Sequence, residues 1–255
     1  MIRVAAVGDL HIGADAVSQW QAALEPVSAA ADLLLLAGDL TRSGTPEDGE
    51  ALVAALEPVA IPIVAVLGNH DFHADHAERL VELLGEIGVT VLEGSARTFE
   101  VGGVRVGVAG SKGFGGGFAG ACGSDFGEPE MKAFIRHTQR LADGLEAALA
   151  GLRSELRIAL LHYSPVEATL AGERLEIYPF LGSYLLGEAV DRAGADLVLH
   201  GHAHAGSERG TTPGGIRVRN VAQPVIKRAF NLYCFAPHAG PHGDPVRGPN
   251  GGCNP

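Results

Sequence analysis

The sequence predicts an α/β domain in which helices cover a parallel β-sheet. Two observations support this prediction: short apolar segments have the length of buried strands, and longer amphipathic segments separate them. The first three strand segments are Ile2–Val7, Leu33–Ala37 and 61–67, with helical segments at 16–31 and Pro46–Leu56 between them. This βαβαβ order is typical of parallel strands joined by helical crossovers. Pro46 suits a first helical turn, and Thr45 suits its N-cap.

The later part of the chain predicts a change from crossovers to a meander. A helix at 74–87 precedes strands at 89–92, 98–101 and 104–109, and Gly102–Gly103 between the last two predicts a hairpin. Segment 111–127 is glycine-rich and predicts a long loop. The remaining elements are helices at 128–152 and 182–193 and strands at Leu156–Leu161, 196–199, 216–221 and Asn231–Phe235.

Length and composition predict one domain over residues 1–236. The chain has 255 residues, of which 46% are hydrophobic, enough for a sizeable core. Residues 237–255 are rich in proline and glycine, and we expect a disordered tail there. The formal net charge of −11 argues against nucleic acid as a partner. The N-terminal apolar run is too short for a signal peptide, and no apolar stretch is long enough for a membrane span, so we expect a cytoplasmic protein.

Polar residues follow five of the predicted strands. They are Asp9 and His11, then Asp39, then Asn69, His70 and Asp71, then His162, and finally His200, His202 and His204. Each group alone has an ordinary explanation, such as a capping aspartate or a surface histidine. The occurrence of all five groups in one chain has no such ordinary explanation, because the carboxyl ends of parallel strands meet at one edge of a sheet. The pattern therefore predicts a metal site at that edge.

Position along the chain indicates different roles within this site. Asp9 and His11 are two residues apart in an extended segment and face the same way, so they can bind one ion together. Asn69 offers a neutral oxygen ligand. His70 has the opposite parity and suits an acid or electrophile next to the metals, with Asp71 orienting its ring. His200 remains open, either as a further ligand or as a packed residue outside the metal shell.

These residues, in this order, resemble the calcineurin-like metallophosphoesterases. The resemblance implies a four-layer α/β/β/α sandwich, the metallo-dependent phosphatase-like fold, with two mixed sheets flanked by helices. It also implies two metal sites. Asp9, His11 and His204 would hold one ion, Asn69, His162 and His202 would hold the other, and Asp39 would bridge them. His70 would be the catalytic histidine, supported by Asp71.

The implied activity is hydrolysis of a small phosphomonoester or phosphodiester by a metal-bridging hydroxide. Mixed carboxylate, imidazole and amide ligands favour two divalent ions from among Mn, Fe, Zn and Co. Two alternatives remain open: a nuclease of the same superfamily, and an interaction scaffold in which the metals serve structure only. The lack of a basic patch argues against the nuclease, and retention of His70 with Asp71 argues against the scaffold.

Substrate-binding residues are less clearly marked in the sequence. Lys112 could meet a phosphate, Phe114 could contact an apolar or base group, and Tyr178 could form another wall of the pocket. Packing of the two aromatic residues in the core is an equally good interpretation.

Overall fold

The computed structural model describes residues 1–236, so the predicted disordered tail at 237–255 lies outside the described residues. The first part of the chain alternates strands and helices, as its sequence predicts. Its strands are β1 (Ile2–Val7), β2 (Leu33–Ala37), β3 (Ile63–Val66) and β4 (Thr90–Val91). Its helices are α1 (Val17–Leu24), α2 (Val27–Ala30), α3 (Pro46–Leu56) and α4 (Ala77–Glu86).

The second part begins with a hairpin and returns to crossovers. The strands are β5 (Ser95–Val101), β6 (Val104–Ser111), β7 (Gly117–Phe118), β8 (Ala121–Cys122), β9 (Leu156–Leu161), β10 (Leu197–His200), β11 (Arg209–Thr211), β12 (Arg217–Asn220) and β13 (Asn231–Phe235). The helices are α5 (Pro129–Gly151), α6 (Tyr178–Leu181), α7 (Tyr184–Ala193) and α8 (Gln223–Ile226). Short 3₁₀ turns lie at Ala14–Ala16, His70–Phe72, Glu167–Leu170 and Leu175–Ile177.

The strands form two large mixed sheets and one small hairpin. The first sheet has the order β13-β1-β2-β3-β4, and the second has the order β11-β12-β10-β9-β6-β5. All pairs in the first sheet are parallel except β13 with β1. In the second sheet only the edge strands β11 and β5 are antiparallel to their neighbours. β7 and β8 pair with each other within the glycine-rich segment.

Three apolar clusters separate four layers, and this confirms the predicted α/β/β/α sandwich. Along β2, Leu34 and Leu36 face the cluster under α1 and α3, while Leu33 and Leu35 face the cluster between the two sheets. Because alternate residues of a strand point to opposite faces, a continuous apolar run is what a strand buried on both sides requires. A third cluster joins the second sheet to α5 and α7.

Capping and turn residues in the sequence predict most of the observed elements, and the structure differs from the prediction in two places. The side chain of Thr45 caps α3 by accepting from the Asp48 N–H at 3.2 Å, and Gly102 and Gly103 have φ values of 57° and 80° in the predicted hairpin. The predicted helix at 16–31 is divided into α1 and α2, because Pro26 lacks the N–H that would continue the first helix. The predicted long loop contains the β7–β8 hairpin, and α6, α8 and β11 were not predicted.

None of the helices formed by residues 1–236 has the length and apolar character needed to cross a membrane.

Candidate metal centre

Four of the predicted ligands have left-handed backbone conformations. The φ angles are 59° at Asp9, 46° at His11, 49° at Asp39 and 69° at His202. Residues other than glycine adopt this region infrequently, and such conformations collect at functional sites because the surrounding fold must enforce them. Each of these residues follows a buried parallel strand, so the turns direct their side chains into one crevice at the carboxyl edge of both sheets.

The first cluster of ligand atoms comprises Asp9, His11, Asp39 and His204. One donor atom from each lies within 4.8 Å of the others. His204 Nε2 is 2.7 Å from Asp9 Oδ1, and His11 Nε2 is 3.9 Å from Asp39 Oδ2. The contact with Asp9 raises the pKa of His204. Two carboxylates and two imidazoles therefore converge on one small volume.

The second cluster comprises Asp39, His162 and His202. His162 Nε2 is 3.3 Å from Asp39 Oδ1 and 3.0 Å from Asn69 Oδ1. Asp39 thus belongs to both clusters, with a different oxygen turned toward each. Asn69 also lies at the second cluster, through its contact with His162, as the family resemblance implies.

Two observations fit these residues to metal ions. His11 Nε2 is buried and has no hydrogen-bond partner among residues 1–236. His162 Nδ1 lies 2.9 Å from the Ala37 carbonyl, which can only accept, so the ring proton is on Nδ1 and the Nε2 lone pair faces the Asp39 carboxylate. A lone pair facing a carboxylate is unfavourable unless a cation lies between them. Both nitrogens are therefore free to accept a metal ion.

Burial also keeps these imidazoles in the neutral form that binds metals. Desolvation lowers the pKa of His11 to about 4 and the pKa values of His162 and His202 to about 3. Neutral histidine is the ligand form, so metal binding at these three residues does not compete with a proton near neutral pH. Nitrogen and oxygen donors together suit first-row transition metals such as Mn, Fe, Co and Zn.

Two glycines make room for the ligands. A Cβ atom on Gly68 would overlap the carboxylate of Asp39, and one on Gly201 would overlap the carboxylate of Asp9. Gly68 does not have a left-handed φ, so a left-handed turn conformation is not the reason for glycine at this position. Close approach of its backbone to the Asp39 side chain is the physical reason for glycine there.

His70 lies at the open side of the centre. Its ring contacts the ring of His11 with 4.5 Å between centroids, and its Nε2 is 4.0 Å from Asp39 Oδ2. The side chain is 45% exposed, so a ligand can reach it. Its Nδ1 lies 2.8 Å from the Arg42 carbonyl oxygen, which fixes a proton on Nδ1 and leaves Nε2 directed at the crevice.

Asp71 does not contact the His70 ring, which corrects the expectation that it orients that ring. Its buried carboxylate instead accepts from the N–H groups of Leu40, Thr41 and Gly68 at 3.2, 2.8 and 2.8 Å, and from the Thr41 hydroxyl at 2.6 Å. These four bonds join the turn after β2 to the turn after β3. Arg42 orients His70 through its backbone carbonyl, a contact for which the sequence carries no side-chain signal.

His200 is packed rather than a ligand. Its Nδ1 lies 2.8 Å from the Gly201 carbonyl oxygen and its Nε2 lies 2.8 Å from the Thr169 hydroxyl, so both ring nitrogens have partners. The residue is fully buried, and burial lowers its pKa to about 4. This settles the alternative that the sequence left open.

The three candidate substrate-binding residues occupy different surroundings. Tyr178 donates its hydroxyl to the Leu170 carbonyl at 3.0 Å and packs on the cluster that contains Phe118 and Ala203. Phe114 contacts Phe134 and Tyr163. Lys112 is buried, and its amine lies 4.7 Å from the centre of the Phe114 ring.

Two stacked mixed sheets with a histidine and aspartate cluster at their carboxyl edge define a class of metal-dependent hydrolases acting on phosphoric esters. Residues 2–206 match the sequence profile described as calcineurin-like phosphoesterase. The chain therefore belongs to the calcineurin-like phosphoesterase family.

Solved structures show the same fold at low sequence identity. The phosphopantetheinyl hydrolase of Mycobacterium tuberculosis is 16% identical, covers 94% of this chain and 98% of its own, and has a TM-score of 0.64. A putative 5'-nucleotidase from Staphylococcus aureus is also 16% identical, covers 86% of this chain and 48% of its own, and has a TM-score of 0.53.

A curated relative shares a shorter stretch at higher identity. A probable cyclic nucleotide phosphodiesterase of Synechococcus sp. is 34% identical over 94 residues, which is 33% of this chain and 35% of that relative. The match thus spans about a third of the length of that protein.

Proposed function

We propose that the chain binds two divalent metal ions and hydrolyses a small phosphodiester, for which a cyclic nucleotide is the first candidate. The membership of Asp39 in both ligand clusters carries this proposal. Asp9, His11 and His204 would hold one ion with one oxygen of Asp39. Asn69, His162 and His202 would hold the other ion with its second oxygen.

A bound metal pair would supply Lewis-acid charge to the phosphoryl group and lower the pKa of attacking water. A side chain of the protein would supply the proton for the leaving group. In hydrolysis a water oxygen forms a bond to phosphorus, the bond to the leaving oxygen breaks, and that oxygen gains a proton. The Arg42 carbonyl holds the proton on Nδ1 of His70, so His70 would act as the imidazolium, deliver its second proton from Nε2 to the leaving oxygen and return to the neutral ring.

The choice of a small diester rests on the similarity to the probable cyclic nucleotide phosphodiesterase of Synechococcus sp.. Charge is compatible with this choice. The net charge of −11 disfavours long polyanions, whereas a single phosphate group needs only the local cations of the centre.

Metal analysis and a substrate panel test the proposal together. The protein is stripped with a chelator, reloaded with Mn, and examined for bound metal and for hydrolysis of bis-p-nitrophenyl phosphate, p-nitrophenyl phosphate, and 2′,3′- and 3′,5′-cyclic AMP. About two ions per chain with a preference for diesters is the expected result. Saturation at about one ion would refute the metal pair, and hydrolysis of the monoester alone would refute the diester assignment.

A further inference from the structure

Lys112 occupies the carboxyl edge of the second sheet beside the metal ligands. It directly follows β6, whose last residue, Ser111, lies opposite Leu161 in the parallel pair with β9. The Lys112 carbonyl accepts the N–H groups of His162 and Tyr163 at 3.2 and 3.0 Å. The backbone therefore fixes Lys112 next to a proposed metal ligand.

The Lys112 amine is enclosed by aromatic rings. It lies 4.7 Å from the ring centre of Phe114, 5.2 Å from that of Tyr163 and 5.4 Å from that of Phe72. The residue is only 9% exposed. These rings stabilise a cation through their electron-rich faces and exclude water from it.

The amine has fewer hydrogen bonds than a buried ammonium requires. It donates to the Gly113 carbonyl at 3.2 Å, and residues 1–236 offer no other acceptor for its remaining two N–H groups. Glu93 is the nearby carboxylate, but its oxygens accept from the Ser111 hydroxyl and from the Lys112 backbone N–H, not from the amine. Because buried charges are costly without partners, the missing acceptor points to a ligand.

The surroundings of the amine indicate which ligand this is. Phe72 belongs to the 3₁₀ turn that contains His70, and Tyr163 packs on the ring of His202 with 4.3 Å between centroids. The amine thus lies between the turn that carries His70 and the strand end that carries the second ligand cluster. An anion bound at that cluster could therefore accept the remaining N–H groups of the Lys112 amine.

We propose that Lys112 binds a non-bridging phosphoryl oxygen of the substrate. This inference rests on the proposed phosphoesterase function and names the group that holds the reacting phosphate. Lysine acts here as a point charge, while Phe72, Phe114 and Tyr163 fix its position. Its positive charge offsets the acidic character of the protein beside the proposed phosphate site.

Replacing Lys112→Met tests this role, because methionine keeps an unbranched apolar stem against the three rings and removes the ammonium. Lys132→Met is the matched control, since it removes the same charge from the start of α5. For each Mn-loaded protein we would measure metal content, melting temperature, KM for the best ester, and the affinity for inorganic phosphate by titration calorimetry. Lys112→Met should keep its metal and its fold, while phosphate affinity falls about 10- to 100-fold and KM rises similarly.

Two further comparisons make the result decisive. Lys112→Arg retains the charge and should recover part of the phosphate affinity, and Lys132→Met should bind phosphate like the wild type. If Lys112→Met melts below the assay temperature, Lys112→Gln takes its place in the same comparison. Wild-type phosphate affinity in the folded, charge-removed variant would overturn the inference. Failure of the wild-type protein to bind metal or hydrolyse any ester would instead refute the proposed function.

Discussion

Oδ1 of Asp39 lies 3.3 Å from Nε2 of His162. The other oxygen of the same carboxylate faces His11 at 3.9 Å. The side chain is almost fully buried, and its Oδ1 also accepts the backbone N–H of His70 at 2.8 Å. One carboxylate is therefore held rigidly between the imidazoles of the two clusters, which is the arrangement expected of a ligand that two cations share.

Asp39→Asn should weaken both metal sites, because it keeps the shape of the side chain and removes the charge that both sites use. Asp9→Asn is the matched comparison, since Asp9 belongs to the first cluster only. Elemental analysis after dialysis should find well under one ion per chain in Asp39→Asn and about one in Asp9→Asn. An Asp39→Asn protein that retains one ion at wild-type affinity would show that Asp39 is not shared.

His70→Ala should lower kcat by about 10²- to 10⁴-fold while metal content is unchanged, because the proposed role of the ring is to supply a proton and His70 is not among the proposed ligands. The exposed neighbour His73 provides the control, and His73→Ala should retain wild-type turnover. Steady-state kinetics on metal-loaded proteins measures both. Undiminished kcat in His70→Ala would remove this histidine from the chemistry.

Gly68→Ala should damage the centre through steric overlap alone, because the new Cβ would occupy the space of the Asp39 carboxylate. We expect weaker metal binding and at least a tenfold loss of activity, since a small displacement of a positioned group is costly in catalysis. Gly85→Ala, in α4, meets nothing within 4 Å and should leave activity intact while stabilising the protein by about 0.5–1 kcal/mol. Equal activity in the two variants would contradict this account.

Asp71→Asn should destabilise the protein as well as reduce its activity. Asparagine cannot accept on both sides, so buried N–H groups of the turns after β2 and β3 lose their partners, at a cost of about 2–4 kcal/mol in the free energy of unfolding. The exposed Asp75 gives the control, and Asp75→Asn should unfold like the wild type. Chemical denaturation of both proteins decides between this bracing role and a direct action on His70, which would leave stability unchanged.

Side-chain pattern predicts the parallel strands with their helical crossovers and a metal site at the strand ends. The four-layer sandwich and the two ligand sets are what the resemblance to the calcineurin-like metallophosphoesterases implies. Continuous apolar runs such as Leu33–Ala37 can only be buried on both faces, and the polar residues after them lie at the strand ends as expected. Asp39 could be placed at the centre because it lies two residues after the end of β2. Asn69 could be placed there because it follows β3.

What the sequence does not predict depends on backbone atoms and on packing between distant segments. Arg42 contacts His70 through a carbonyl oxygen that every residue possesses. Asp71 has the right residue type for an orienting carboxylate, but the competing N–H donors of two turns take its oxygens. The aromatic rings around Lys112 come from three separate segments of the chain, so no local sequence pattern predicts them.

In the metal-free protein, the contribution of the buried histidines to the free energy of unfolding should fall as the pH falls from about 6.5 to about 4. Burial lowers the pKa of His162 to about 3 and that of His200 to about 4, whereas both titrate near 6.5 in the unfolded chain. In this window the unfolded state binds more protons than the folded state, so the free energy of unfolding rises with pH and falls on acidification. Each such histidine contributes at most about 1.4 kcal/mol per pH unit.

His200→Gln isolates one of these contributions without touching a proposed ligand. Denaturant titrations of chelator-treated protein between pH 4.5 and 7.5 should give a shallower dependence of stability on pH for His200→Gln than for the wild type, by about one proton. His76→Gln, at an exposed position before α4, should leave the dependence unchanged. Identical slopes for His200→Gln and the wild type would mean that His200 takes up its proton without unfolding, contrary to its burial and its two hydrogen-bonded ring nitrogens.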